Sequence, residues 1–316
     1  MTVSQDVTSQ ALPGPYLPTI PGQHPYVHFH GTRGSIPVSG PRYVRHGGNT
    51  SCVSIGVEDE LFVIDAGSGI RDLGIQLARS GPRKINLFIT HTHWDHIQGF
   101  PFFAPLYIPG NEVTIYGAAG FGKDLKSIFR GQLDRDYFPV QFEDMRAKID
   151  FQVLEGSSIS INGFHIQWES THHPAATLGF KVSWAGRTVG YVSDNEFLAG
   201  YQGAPHGITE DSHLLDPQGT HATLLRFLKG VDLLIHEAQY TNAEYVSKVG
   251  WGHSSLSNAC LLAKLCNAKR WIIPHHDPMH DDHALASKIN LTREILRTLD
   301  HPIEVSHAFD DLIAYF

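Results

Sequence analysis

Hydrophobic positions fall in short, β-branched runs at 27–29, 52–57, 61–64, 85–89, 113–116, 164–169, 179–184, 188–192, 233–235 and 271–273, bounded by Gly, Pro, Asp or Asn. That pattern predicts strands. The runs 164–169, 179–184 and 188–192 lie close enough for a meander, with Ala185-Gly186 as a hairpin turn. Helical spacing lies between the runs. Over 254–265 it places Leu256, Ala259, Leu262 and Ala263 on one face, behind an N-cap at Ser254 or Ser255. A second helix is predicted over 285–299 and a shorter one over 122–129. Many strands with few intervening helices predict an α/β fold of sheets packed together with helices outside. Residues 1–25, rich in Pro, Gly, Ser and Thr, predict an extended N-terminal arm ahead of a single domain over 26–316. The stretch 120–148 breaks the rhythm and predicts an inserted helical segment, whose balanced charges suit a solvated lid or interface better than a nucleic-acid arm.

Composition narrows the function classes. The chain has 316 residues, 41% hydrophobic and 18% charged, which suits a core-forming globular protein. With 24 Lys+Arg against 32 Asp+Glu, the formal charge is −8, which argues against a protein that coats nucleic acid with a broad basic surface. Three scattered cysteines without a C-x-x-C pair suggest neither a disulfide scaffold nor a thiolate zinc site. The first 26 residues lack a basic start and an apolar core, and no run approaches the roughly 18 apolar residues of a membrane helix. A cytoplasmic protein without a signal peptide or membrane span is the expectation. Histidine is the anomaly: 21 residues against only 24 Lys+Arg.

The sharpest signal is His91-Thr92-His93-Trp94-Asp95-His96, directly after the run that ends in Phe88-Ile89-Thr90. Imidazole and carboxylate are ligands that borderline metals such as zinc prefer. His91 and His93, two apart at a strand end, can point the same way, while Asp95 and His96 approach from beyond the turn. That arrangement suits two ions side by side. Further candidates end other runs: the doublet His172-His173, Asp194, and the doublet His275-His276. All four groups lie at carboxyl ends of apolar strands, where α/β architectures place their sites.

H-x-H-x-D-H followed by His, Asp and His in this order resembles the metallo-β-lactamase superfamily. Gly31-Thr32-Arg33-Gly34-Ser35-Ile36-Pro37, Gly48-Asn49-Thr50-Ser51, His236-Glu237-Ala238 and Gly252-His253-Ser254-Ser255 are similar to its ribonuclease Z-like phosphodiesterase branch. The resemblance, which spans nearly all of the chain after residue 26, implies an αββα sandwich of two packed mixed sheets. It also implies one metal on His91, His93 and His173, a second on Asp95, His96 and His275, and Asp194 between them. His172 and His276 are the alternatives within each doublet. Two divalent ions are expected, zinc first, with manganese or iron as substitutes. Asp65 matches a position that supports the metal loop. Asp95 is expected to orient a hydroxide held between the metals, and His253 with Glu237 to assist the leaving group. His280, Asp281, Asp282 and His283 are expected at the rim of the pocket. The implied activity is hydrolysis of a small or cyclic phosphodiester. Transfer-RNA 3′ processing is the alternative, weakened by the negative charge and by the lack of a long basic Gly/Pro-rich arm. Lactone, thioester or sulfate-ester hydrolysis remains open on the same metal pair, and the branch makes a homodimer possible.

Overall fold

The computed structural model describes residues 24–58, 60–118 and 122–316. The arm expected over 1–25 lies, but for its last two residues, outside the described residues, as does the start of the segment expected at 120–148. Strands β1 (Tyr26–Gly31), β2 (Cys52–Val57), β3 (Glu60–Ile64), β4 (Lys84–Phe88), β5 (Glu112–Gly117) and β6 (Lys148–Val153) occupy the first half of the chain. The second half holds β7 (Ser158–Ile161), β8 (Phe164–Ser170), β9 (Leu178–Trp184), β10 (Arg187–Val192), β11 (Leu233–His236), β12 (Arg270–Ile273), β13 (Glu304–His307) and β14 (Ile313–Tyr315). They form two seven-stranded sheets, ordered β14-β1-β2-β3-β4-β5-β6 and β13-β12-β11-β10-β9-β8-β7. Both are mixed: β3 to β6 are parallel neighbours, as are β10 to β13, while the remaining pairs are antiparallel.

Strand alternation explains why the sheets stack. Leu233 and Ile235 of β11 and Ile272 of β12 face the other sheet, whereas Leu234, Trp271 and Ile273 face outward into a second core. Between the sheets, Phe62 and Phe88 meet Phe164 and Phe180 edge-on at 5.4 and 5.6 Å between centroids. The outer face of the second sheet is covered by α4 (Thr220–Leu228), α6 (Leu256–Leu265) and α7 (Asp282–Thr298). The outer face of the first carries α1 (Ile70–Leu77) and α3 (Leu125–Gly131). Two one-turn helices, α2 (Trp94–Ile97) and α5 (Asn242–Tyr245), lie in loops. The result is the αββα sandwich that the resemblance implies.

Local chemistry sets the boundaries. Ser255 caps α6 by accepting from the Asn258 N–H, and Asp281 caps α7 by accepting from the Ala284 N–H. Ala185 and Gly186 both adopt positive φ and close the β9–β10 hairpin. The segment 122–148 holds α3 and the short turn Phe142–Asp144, with Leu125, Phe129, Leu133 and Met145 buried in the outer core, so its inner side is packed rather than solvated.

Candidate metal centre

In the second sheet β8 and β10 both run antiparallel to β9, and β10, β11 and β12 are mutually parallel, so these four strands end at one edge. The residues that follow them, His173, Asp194, Glu237 and His275, therefore gather without any long excursion of chain. The turn after β4 of the first sheet brings His91 and His93, and α2 places Asp95 and His96 one turn further on.

Two triads result. Ligand atoms of His91, His93 and His173 all lie within 4.8 Å of one another, and the same holds for Asp95, His96 and His275. Asp194 sits between them. Its carboxylate is 3.8 Å from His91 Nε2 and 4.0 Å from His173 Nε2 on one side, 3.1 Å from His96 Nε2 and 3.5 Å from His275 Nε2 on the other. Each doublet divides. His172 turns away toward His221, with ring centroids 5.0 Å apart, and Nε2 of His276 donates to the Ala308 carbonyl at 2.9 Å.

The outer nitrogen of most rings is already occupied. His96 Nδ1 donates to Asp65 Oδ2 at 2.7 Å, His275 Nδ1 to Gln239 Oε1 at 2.8 Å, and His173 Nδ1 to the Gly252 carbonyl at 2.9 Å. Such bonds fix ring orientation and tautomer, and leave the inner nitrogen with its lone pair. His96 Nε2 and His275 Nε2 then confront each other at 3.3 Å, and buried His91 Nε2 has no hydrogen-bond partner. Lone pairs aimed at a common point between two carboxylates fit cations and little else.

Electrostatics agree. Burial works against charge at His96, but Asp194, Asp95 and Asp65 outweigh it and hold the imidazole well above its ordinary pKa. At His275, burial is likewise overcome by Asp194 and Asp95. Conversely, burial and the neighbouring His96 hold His91 well below its usual value. The carboxylates of this centre thus attract positive charge that a metal supplies without protonating its ligands.

Backbone conformation at the site is unusual. Asp65 and His275 take φ of 65° and 55°, the left-handed region, although neither is glycine. Asp65 is fully buried and accepts from the Thr90 N–H at 2.8 Å, which ties β3 to the start of the His91 turn. Asp95 Oδ2 accepts from the Ser35 N–H at 2.6 Å and is 3.2 Å from His275 Nε2.

His253 is stacked on His275 with ring centroids 5.0 Å apart. Its Nδ1 is 3.9 Å from both Asp194 Oδ2 and Glu237 Oε1. At that distance His253 and Glu237 share no direct hydrogen bond. Glu237 instead accepts from the backbone N–H groups of Gln239 and Ser254, each at 2.6 Å, so it shapes the loop that carries His253. Burial pushes the Glu237 carboxyl well up and the His253 imidazole down to about 3, so His253 is neutral at physiological pH. Asp281 and Asp282 do not line the centre: Asp281 caps α7, and Asp282 holds the His46 ring and the backbone of Arg45 and His46.

A family model described as beta-lactamase superfamily domain matches residues 61–276, about two thirds of the chain. The chain belongs to the beta-lactamase superfamily. A protein named ribonuclease Z from Limosilactobacillus fermentum is 26% identical over 220 residues, covering 61% of this chain and 70% of its own. The metallo-beta-lactamase fold protein YhfI from Bacillus subtilis superposes with TM-score 0.66 at 18% identity, covering 93% of this chain and all of its own. A diphosphatase of the PhnP family superposes with TM-score 0.60 at 19% identity, covering 92% and 98%. This superfamily member brings together groups of His and Asp donors that could hold divalent metal ions.

Several residues of this superfamily member escape sequence reasoning. Glu196 is buried and accepts from the Tyr245 hydroxyl and from the N–H groups of Gly250 and Gly252, holding the loop whose carbonyl orients His173. Gln239 orients His275 in the same way. A signal for Gln239 exists, since it follows His236-Glu237-Ala238 directly. Nothing local marks Glu196, because its partners lie some fifty residues on. Two motif glycines gain a steric reason: a Cβ on Gly34 would come within 2.4 Å of the His275 ring, and one on Gly252 within 2.2 Å of His173 Nδ1.

Proposed function

We propose that the chain is a phosphodiesterase, a metal-dependent hydrolase acting on a small phosphodiester. One observation carries the reading: Asp194 lies within 4.0 Å of ring nitrogens from both triads, as a carboxylate shared by two neighbouring cations would. On this reading His91, His93 and His173 hold one divalent ion, Asp95, His96 and His275 hold the other, and Asp194 serves both. Zinc suits an all-imidazole-and-carboxylate donor set, with manganese or iron as substitutes. Bound there, two such ions neutralise phosphate charge and lower the pKa of a water molecule near 7.

The chain's own residues do the rest. Asp95, fixed by the Ser35 N–H, presents a carboxylate that orients the attacking water and accepts its proton. His253 is neutral, so it stabilises the leaving oxygen by donating a ring N–H rather than by carrying a charge. Glu237 is a positioning residue that acts on His253 through the backbone of Ser254.

Substrate size is argued from the surroundings. A cavity of about 310 Å³ beside His91 has apolar walls, including Leu125, Ile128 and Ala176, and Lys123 is the one Lys or Arg among the described residues that line it. Its volume suits a small molecule. Transfer-RNA 3′ processing is the second reading, favoured by the relative named ribonuclease Z. Against it, the loop from Asp194 to Thr220 carries Glu196, Glu210, Asp211 and Asp216 but no Lys or Arg, and so offers no electrostatic grip on a phosphate backbone.

Hydrolysis of bis-p-nitrophenyl phosphate by the zinc-loaded chain tests the proposal. Activity abolished by a chelator and restored by metal is expected. A fully metallated chain inert toward linear and cyclic phosphodiesters refutes it, and cleavage of precursor transfer RNA alone selects the second reading.

A further inference from the structure

A second histidine cluster lies apart from this centre. Along β1, Val27 and Phe29 point into the core between the sheets, so His28 and His30 point together to the opposite face. Their ring centroids are 4.1 Å apart and both are buried. Asp311 is brought alongside by backbone pairing: its N–H donates to the Phe29 carbonyl at 2.7 Å, just ahead of β14. With φ of 69°, Asp311 is a left-handed residue whose exposed carboxylate lies over the β1 imidazoles.

We propose that His28, His30 and Asp311 form a separate site for a borderline divalent cation such as zinc on the outer face of the first sheet. One ligand atom from each of the three lies within 4.8 Å of the others. His28 Nε2 is buried and has no hydrogen-bond partner, and it is 3.5 Å from Asp311 Oδ1. That distance is too long for a hydrogen bond. It matches the separation of about 3.3 Å between two ligands placed tetrahedrally at 2.0–2.1 Å from one zinc ion. His30 Nε2 is 2.8 Å from Ser54 Oγ, which fixes the ring from β2.

Burial disfavours the charged form of both imidazoles, which favours the form that ligates a metal. Burial lowers the pKa of His28 despite Asp311, and burial with His28 beside it holds His30 well down. Among the described residues the only ion-pair partner of the Asp311 carboxylate is His28, whose charge burial disfavours, and a metal supplies the cation. Solvent reaches the site from the Asp311 side, whose side chain is 83% exposed, so water can complete a four-coordinate shell. Such an ion would bind β1 to the turn that launches β14, fastening the last strand to the sheet.

Equilibrium dialysis of the full-length chain against zinc, followed by elemental analysis, tests the site. Wild type is expected to hold one zinc per chain more than Asp311→Asn. Asparagine tolerates positive φ, and the position is exposed, so this variant keeps the fold. His30→Gln is expected to match Asp311→Asn in zinc content, while hydrolysis of bis-p-nitrophenyl phosphate stays unchanged in Asp311→Asn. Equal zinc in wild type and Asp311→Asn overturns the proposal. So does an anomalous map of zinc-loaded crystals with density at the Asp194 cluster but none between His28 and Asp311.

Discussion

Asp65 reaches the centre only through the His96 ring and Thr90, yet it fixes which nitrogen of His96 faces inward. Asp65→Asn keeps the shape but weakens the acceptor. Partners of this kind change metal affinity by about 10–100-fold. Competition against a zinc chelator is expected to show a loss in that range, with near-wild-type secondary structure. Gly252 and Gly250 form a sharper pair. Both have positive φ, 86° and 84°, so alanine at either position costs backbone strain of about 1–2 kcal/mol. A Cβ on Gly252 runs into His173, whereas one on Gly250 meets nothing within 4 Å. Thermal denaturation is expected to show backbone strain in both and the larger loss in Gly252→Ala, whose Cβ also meets the Pro174 ring, while zinc retention falls only in Gly252→Ala. Equal retention would mean that the His173 ring yields freely.

Helix α7 supports the centre from behind through Lys288, a buried residue whose Nζ donates to the Gln239 carbonyl at 2.8 Å, while Gln239 holds His275. Burial lowers the Lys288 pKa from 10.5 to about 8. Between those values the unfolded chain binds the proton and the folded chain does not, so this residue's contribution to stability rises with pH from about 8 to 10.5. Below that window the folded state carries the full cost of a buried charge. Lys288→Met removes the titration along with the bond to Gln239. The stability of wild type relative to Lys288→Met is therefore expected to climb by roughly 3 kcal/mol across the window, read from denaturant melts at several pH values. The strands and helices that the sequence discloses are those with a strong one-sided or wholly apolar pattern, such as β11, β12 and α6. β6, β7, β13 and β14 lack that contrast, because they lie at or near sheet edges where polar and apolar positions mix: in β6, Lys148, Asp150 and Gln152 are all exposed. The candidate ligands were legible because four fall within six residues and the rest end apolar runs. Glu196 was not, since its value comes entirely from amides that the fold delivers from Gly250 and Gly252.

At the scale of the molecule, the two sheets contribute different halves of the centre. His91, His93, Asp95 and His96 follow β4 of the first sheet, whereas His173, Asp194 and His275 follow β8, β10 and β12 of the second. The interior of the sandwich is held by dispersion and burial, but at this edge buried imidazoles and carboxylates face each other across the seam. Without cations, two carboxylates and their competing protons must share a space with little solvent, and buried His91 Nε2, Asp194 Oδ1 and His253 Nδ1 are left without hydrogen-bond partners. Metal removal is therefore expected to destabilise the whole chain rather than silence one loop. A ligand that binds only the folded state stabilises it by about 4 kcal/mol at a thousandfold excess over its Kd. At about 2–4 °C per kcal/mol for domains somewhat smaller than this one, chelation is expected to lower Tm by several degrees or more. Acidification should act in the same direction, since protons held at His96 and His275 compete with metal and apparent affinity falls with pH. Calorimetry of metal-loaded and chelated samples at two pH values checks both statements. An unchanged Tm after complete removal of metal would mean that ion binding does not draw the two sheet edges together.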